Sequence, residues 1–97
     1  MIRHIVLITW AGHATDEQKA AVETELKKLP GVIPELKAYT VGADAGIDQG
    51  NHDFGLVADF DSVDDYLVYR DHPQHKAVLA EHVKPILATR AAVQLSL

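Results

Sequence analysis

Along an extended chain, Ile2, Val6, Ile8 and Trp10 fall on one face, and Ile5 and Leu7 on the other. The stretch is rich in Ile, Val and Trp, so residues 2–10 are expected to form a strand with apolar side chains on both faces. The period then changes. Val22, Leu26 and Leu29 recur at i, i+4 and i+7, which predicts an amphipathic helix over residues 16–29. Thr15-Asp16-Glu17-Gln18 has the pattern of a capping box at its start, and Leu29-Pro30-Gly31 stops it. Leu36, Ala38 and Thr40 alternate with Tyr39 and Val41, predicting a second strand over 35–43. Asp44 to Asn51, with its Asp, Asn and Gly residues, reads as a loop. A third strand is expected over 53–60, with Phe54, Leu56, Ala58 and Phe60 on one face. Ser62-Val63-Asp64-Asp65 starts a short helix reaching about Tyr69. Pro73, a residue tolerated in a first helical turn, opens a longer one to about Ala88, with Leu79, Val83 and Ile86 inside. Residues 90–97 alternate through Ala91, Val93, Leu95 and Leu97 as a fourth strand.

The resulting order is β-α-β-β-α-β, with the second helical region broken near Asp71-His72. That is the ferredoxin-like order, so the fold class is α+β and residues 1–97 are expected to form one domain. Two helical regions can cover only one face of a four-stranded sheet. Ile5 and Leu7 would then stand in water, and burying each is worth roughly 1.5–3 kcal/mol. A second copy of the sheet covers them most simply, so a homodimer is expected.

Composition narrows the function. The net charge is −5 and the nine Lys and Arg residues form no stripe, which argues against nucleic-acid binding. No apolar segment approaches the roughly 20 residues of a membrane span, and no signal peptide is read at the N-terminus. The chain has no cysteine, which excludes thiolate metal sites and cysteine catalysis. It also fits a reducing compartment, so a cytoplasmic location is expected.

The candidate chemistry lies in Tyr69-Arg70-Asp71-His72-Pro73-Gln74-His75. His75 stands four residues before Leu79, at the head of the inner apolar stripe, so its imidazole should point into the protein. His4 lies on the even face of the first strand between Ile2 and Val6, where it can share an apolar pocket with His75. A histidine able to take a proton and a tyrosine able to hold an oxyanion make an acid–base pair. His75 and Tyr69 are therefore the candidate catalytic residues, and His4, His72, Val6, Phe54 and Leu79 the candidate ligand-binding ones. The bland alternative for His75 is a buried ring that bonds a backbone carbonyl and fixes a helix start. His72 can act as a helix cap. His-x-x-His without a placed carboxylate is a loose spacing, so neither a metal nor a cofactor is expected.

Several stretches together resemble one family. These are Met1-Ile2-Arg3-His4-Ile5-Val6-Leu7, Leu29-Pro30-Gly31-Val32-Ile33-Pro34, Val41-Gly42-x-Asp44, Phe60-Asp61-Ser62-x-x-Asp65-Tyr66, Tyr69-x-x-His72-Pro73-x-His75 and Val83-x-Pro85-Ile86. In this order they resemble the stress-responsive A/B barrel (Dabb) family. The resemblance implies a ferredoxin-like subunit that forms a dimeric α/β barrel. It also implies a cofactor-free catalyst like the family's polyketide cyclases of the olivetolic acid cyclase type, with Tyr69, His75 and His4 at the matching positions. Those cyclases carry a polar, ring-bearing residue in the third strand, where this chain has Phe54 and Gly55. Two functions stay open: binding or conversion of a small apolar molecule beside His75, and a non-catalytic, stress-related homodimer.

Overall fold

The computed structural model describes residues 1–97. Strand β1 (Ile2–Trp10) leads to helix α1 (Asp16–Lys27), then to strands β2 (Ala38–Ala43) and β3 (Phe54–Phe60). Helices α2 (Val63–Asp71) and α3 (Pro73–Val78) follow, and β4 (Leu87–Ser96) closes the chain. The sheet order is β2-β3-β1-β4, with every neighbouring pair antiparallel. The fold is ferredoxin-like, as the order of elements implied.

All three helices lie on one face of the sheet. Val6, Ile8, Trp10, Phe54, Leu56 and Phe60 meet Val22, Leu26, Tyr69, Val78, Val83 and Ile86 in one apolar core. The capping box forms as expected: Thr15 Oγ1 accepts from Gln18 N at 3.1 Å, and Gln18 Oε1 accepts from Thr15 N at 2.9 Å. The helix ends at Lys27, and Leu29–Gly31 forms a 3₁₀ turn instead of a last α-turn. Pro30 has no N–H with which to continue the ladder.

Other boundaries differ from expectation too, α2 running on to Asp71 among them. Strand β2 begins at Ala38, not 35, and its core-facing residues are Tyr39 and Val41; Leu36 is buried ahead of the strand. The expected helix to Ala88 breaks up. After α3 comes a π-helical turn, Leu79–Val83, then a 3₁₀ turn, Lys84–Ile86, and β4 starts at Leu87. Pro85 is the physical reason: it cannot donate to the carbonyl of Glu81, so a regular α-helix cannot pass it. The π turn widens the helix over the sheet, and such turns cluster at functional sites.

The opposite face of the sheet has no cover in the single chain. Ile5 lies between Val57 and Val93, and Leu7 between Gly55 and Ala91. Leu7, Val57, Val93 and Leu95 are 40%, 37%, 47% and 41% exposed, so the patch is continuous across three strands. Arg3 and Asp59 pair within it by two bonds, of 2.8 and 3.0 Å. No helix is long and apolar enough to cross a membrane.

Candidate functional site

A cavity of about 450 Å³ opens between the helices and the β1 side of the sheet. That is within the roughly 300–1,000 Å³ of small-molecule pockets. Its floor comes from His4, Val6 and Ile8 on β1 and from Phe54 and Leu56 on β3. Leu26, Leu79 and Val83 supply apolar wall from the helical side.

The break between α2 and α3 positions the first imidazole. Ser62 Oγ accepts from Asp65 N at 3.1 Å and starts α2. At its far end His72 leaves the helical conformation (φ −63°, ψ 132°) and becomes the N-cap of α3, with Pro73 in the first turn. The chain bends there and folds His75 back over the last turn of α2. Its Nδ1–H donates to the carbonyl of Arg70 at 3.1 Å. Its ring stacks on Tyr69, with centroids 4.2 Å apart and planes at 30°. The Tyr69 hydroxyl is 3.3 Å from that of Tyr39.

The sheet holds the second imidazole. His4 faces Gln94 across the β1–β4 ladder, and the Gln94 amide donates to His4 Nδ1 at 2.9 Å. Tyr66 packs against the ring at 5.0 Å.

These partners fix the tautomers. A carbonyl only accepts, so His75 carries its proton on Nδ1 and its Nε2 is a bare acceptor. An amide NH₂ only donates, so a neutral His4 carries its proton on Nε2. Neither Nε2 has a protein partner. No sealed side-chain nitrogen or oxygen in the protein lacks a partner, so both Nε2 atoms open onto accessible space. One ring can accept a proton; the other can donate a hydrogen bond.

Electrostatics keep both rings neutral. Burial, then the positive charge of Arg90 and the unfavourable sharing of charge with His75 were both rings protonated, lower the pKa of His4 to about 4. His75 is lowered too, chiefly by burial, against the opposing effect of its bond to the Arg70 carbonyl. Burial raises the Tyr69 phenol to about 12 and raises Tyr39 as well, so neither ionises near neutral pH. The site can thus hold a neutral general base beside a neutral hydrogen-bond donor, without a charged side chain being buried.

Of the residues singled out from sequence, His75, Tyr69, His4, Val6, Phe54 and Leu79 all line the cavity. His72 does not. Its Nδ1 accepts from Gln74 N at 3.1 Å, and it serves as a helix cap. Tyr69 stacks on His75, and its hydroxyl pairs with that of Tyr39. Tyr66, Arg90 and Gln94 line the cavity and were not singled out. The available signal was the polar residues at even positions of the last strand, alternating with Ala91, Val93 and Leu95. No three histidine or carboxylate side chains converge as ligands of a metal would.

The model of the stress-responsive A/B barrel domain matches residues 2–97. The chain belongs to the Dabb family. Among solved structures of similar fold, a dimeric ferredoxin-like protein of unknown function from Thermobifida fusca YX is 51% identical, with a TM-score of 0.92 over 99% of this chain and 90% of that one. A dimeric protein of unknown function and ferredoxin-like fold from Bacteroides fragilis is 27% identical, with a TM-score of 0.80 over 99% and 95% of the two chains. A hydroxynitrile lyase from Passiflora edulis is 21% identical, with a TM-score of 0.83 over 97% and 90%; that likeness is one of fold. No curated protein matches this Dabb chain.

Proposed function

We propose that this Dabb protein is a homodimer that binds a small, largely apolar molecule in the cavity beside His75 and acts on it by cofactor-free acid–base chemistry. The observation that carries the reading is the pair of unpartnered Nε2 atoms, an acceptor on His75 and a donor on His4, opening beside an apolar cavity. His75 would take a proton from a carbon or hydroxyl acid, and His4 would hold the oxyanion that forms. Tyr69 backs the base by stacking on it. Lyase, isomerase or cyclase reactions that pass through an oxyanion after loss of a proton use this pairing of base and oxyanion donor. The hydroxynitrile lyase illustrates that the fold can host such chemistry; the proposal itself rests on His4 and His75.

The homodimer is supported by the uncovered face around Ile5, Leu7, Val57 and Val93, and by the description of both more similar relatives as dimeric. Sheet-to-sheet pairing would bury that face and leave the cavity, on the other side, free.

Acetophenone, an apolar carbon acid, tests the site. Wild-type protein in D₂O should exchange its methyl protons faster than buffer does, and His75→Ala should lose that acceleration with its fold and dimer intact. The contrary result is a His75→Ala protein destabilised by about 1–3 kcal/mol, as for a lost buried hydrogen bond, with no acetophenone effect in either protein. His75 would then be only a fastener between α2 and α3, and the non-catalytic reading would hold.

A further inference from the structure

The proposed function leaves open what kind of small molecule the cavity takes. Building on that reading, we propose that the ligand is an apolar carboxylate whose carboxyl group is held by Arg90 at the β4 side of the cavity.

The charges around the cavity are one-sided. The chain carries 14 acidic residues against nine Lys and Arg, yet no Asp or Glu lines the cavity, while Arg70, Lys84 and Arg90 all do. Arg70 is already committed, donating to both oxygens of Asp71 at 2.9 and 3.1 Å. Arg90 and Lys84 make no ion pair and no side-chain hydrogen bond, whereas five of the other basic residues are paired with carboxylates. The lining thus carries two exposed, unpaired cations and no carboxylate, the nearest acid, Asp71, being held by Arg70, and such a lining suits an anion.

Register makes Arg90 the anchor. Arg90, Ala92 and Gln94 share the inner face of β4, opposite Ile8, Val6 and His4. Ala92 extends only a methyl group between its longer neighbours. The β4 side of the cavity is therefore polar, and the Phe54, Leu56, Leu79 and Val83 side is apolar. That division orients a ligand with a charged head and an apolar tail. A guanidinium offers a planar pair of N–H groups matching the two oxygens of a carboxylate, and this geometry distinguishes Arg90 from the flexible point charge of Lys84. The charge of Arg90 also acts on the interior: it disfavours the protonated forms of His4 and His75 and favours ionisation of Tyr69. A carboxylate seated on Arg90 is thus within electrostatic reach of both imidazoles.

The test compares 4-phenylbutyrate with 4-phenylbutanamide, which share shape and tail but differ in charge, by calorimetric titration of the full chain near pH 7. The acid should bind at least about tenfold more tightly than the amide, the scale of one charge-assisted hydrogen bond. In Arg90→Gln the acid should fall to the amide's affinity while the amide is unchanged, and Arg90→Lys should keep part of the preference. Equal binding of acid and amide to the wild type overturns the carboxylate assignment and leaves the pocket reading standing. Preference for the acid that survives Arg90→Gln overturns the role of Arg90. Failure of both probes to bind at millimolar concentration overturns this proposal and the pocket reading together. The wild-type comparison decides the ligand class even if Arg90→Gln does not fold.

Discussion

His4 and His75 are held by partners of opposite kind, and that difference sets both tautomers. It also makes His4 a source of acid sensitivity. Its pKa is about 4 when folded, against an ordinary 6.5 when unfolded. Between those values the unfolded chain binds a proton that the folded chain does not, so stability is fully present above pH 6.5 and is lost as pH falls towards 4. Each pKa unit is worth about 1.4 kcal/mol, so the loss from His4 alone is on the order of 3–4 kcal/mol at most. Denaturant midpoints measured from pH 7 to pH 4 should fall across this window, and a His4→Asn variant should show a shallower fall. A second outcome concerns Tyr69, which is buried and shares a hydrogen bond with Tyr39. Tyr69→Phe keeps the stacked ring and removes the hydroxyl. It should lower stability by about 1 kcal/mol and weaken acetophenone binding less than His75→Ala does, as read by thermal melts and titration.

Among the elements, the α2–α3 junction decides the site. His72 caps α3 from the outside of the bend, while His75 turns inward. His72→Ala should cost about 1 kcal/mol, the usual size of a lost N-cap, and leave ligand binding unchanged. His72→Asn should restore the stability. A loss of binding without a loss of stability would return His72 to the cavity. The junction was legible in sequence because Pro73 and the apolar stripe are local signals, and so was the placing of His75 on the inner side. Strands β1 and β3 were legible for the same reason, through their alternating apolar residues. The late start of β2 was not, because Leu36 fits the alternation yet is buried by packing ahead of the strand. Pro85 was visible in the sequence, but the π turn that precedes it depends on how the helix seats against the sheet. Arg90 and Gln94 join the site only through the register of β4 on β1, a pairing of residues some ninety positions apart in the case of His4 and Gln94. Local periodicity carries no information about such a pairing.

At the scale of the whole molecule, one sheet serves two purposes on its two faces. The helix-covered face holds the cavity, and the bare face offers Leu7 and its neighbours to a second copy. Light scattering at micromolar concentration should return twice the 10.6 kDa chain mass. Leu7→Lys should give a monomer or an insoluble protein, because a charge buried between sheets without a partner is strongly unfavourable. A stable wild-type monomer would contradict the proposed assembly. The proposed chemistry requires two neutral imidazoles that present opposite hydrogen-bonding character to the cavity, and nitrogen-15 NMR of the histidine rings near pH 7 reads this directly. His75 should appear as the Nδ1–H tautomer and His4 as the Nε2–H tautomer, both neutral, and acetophenone should shift the Nε2 signal of each. A cationic ring, a reversed tautomer at either position, or Nε2 signals that ignore the added ligand would contradict it.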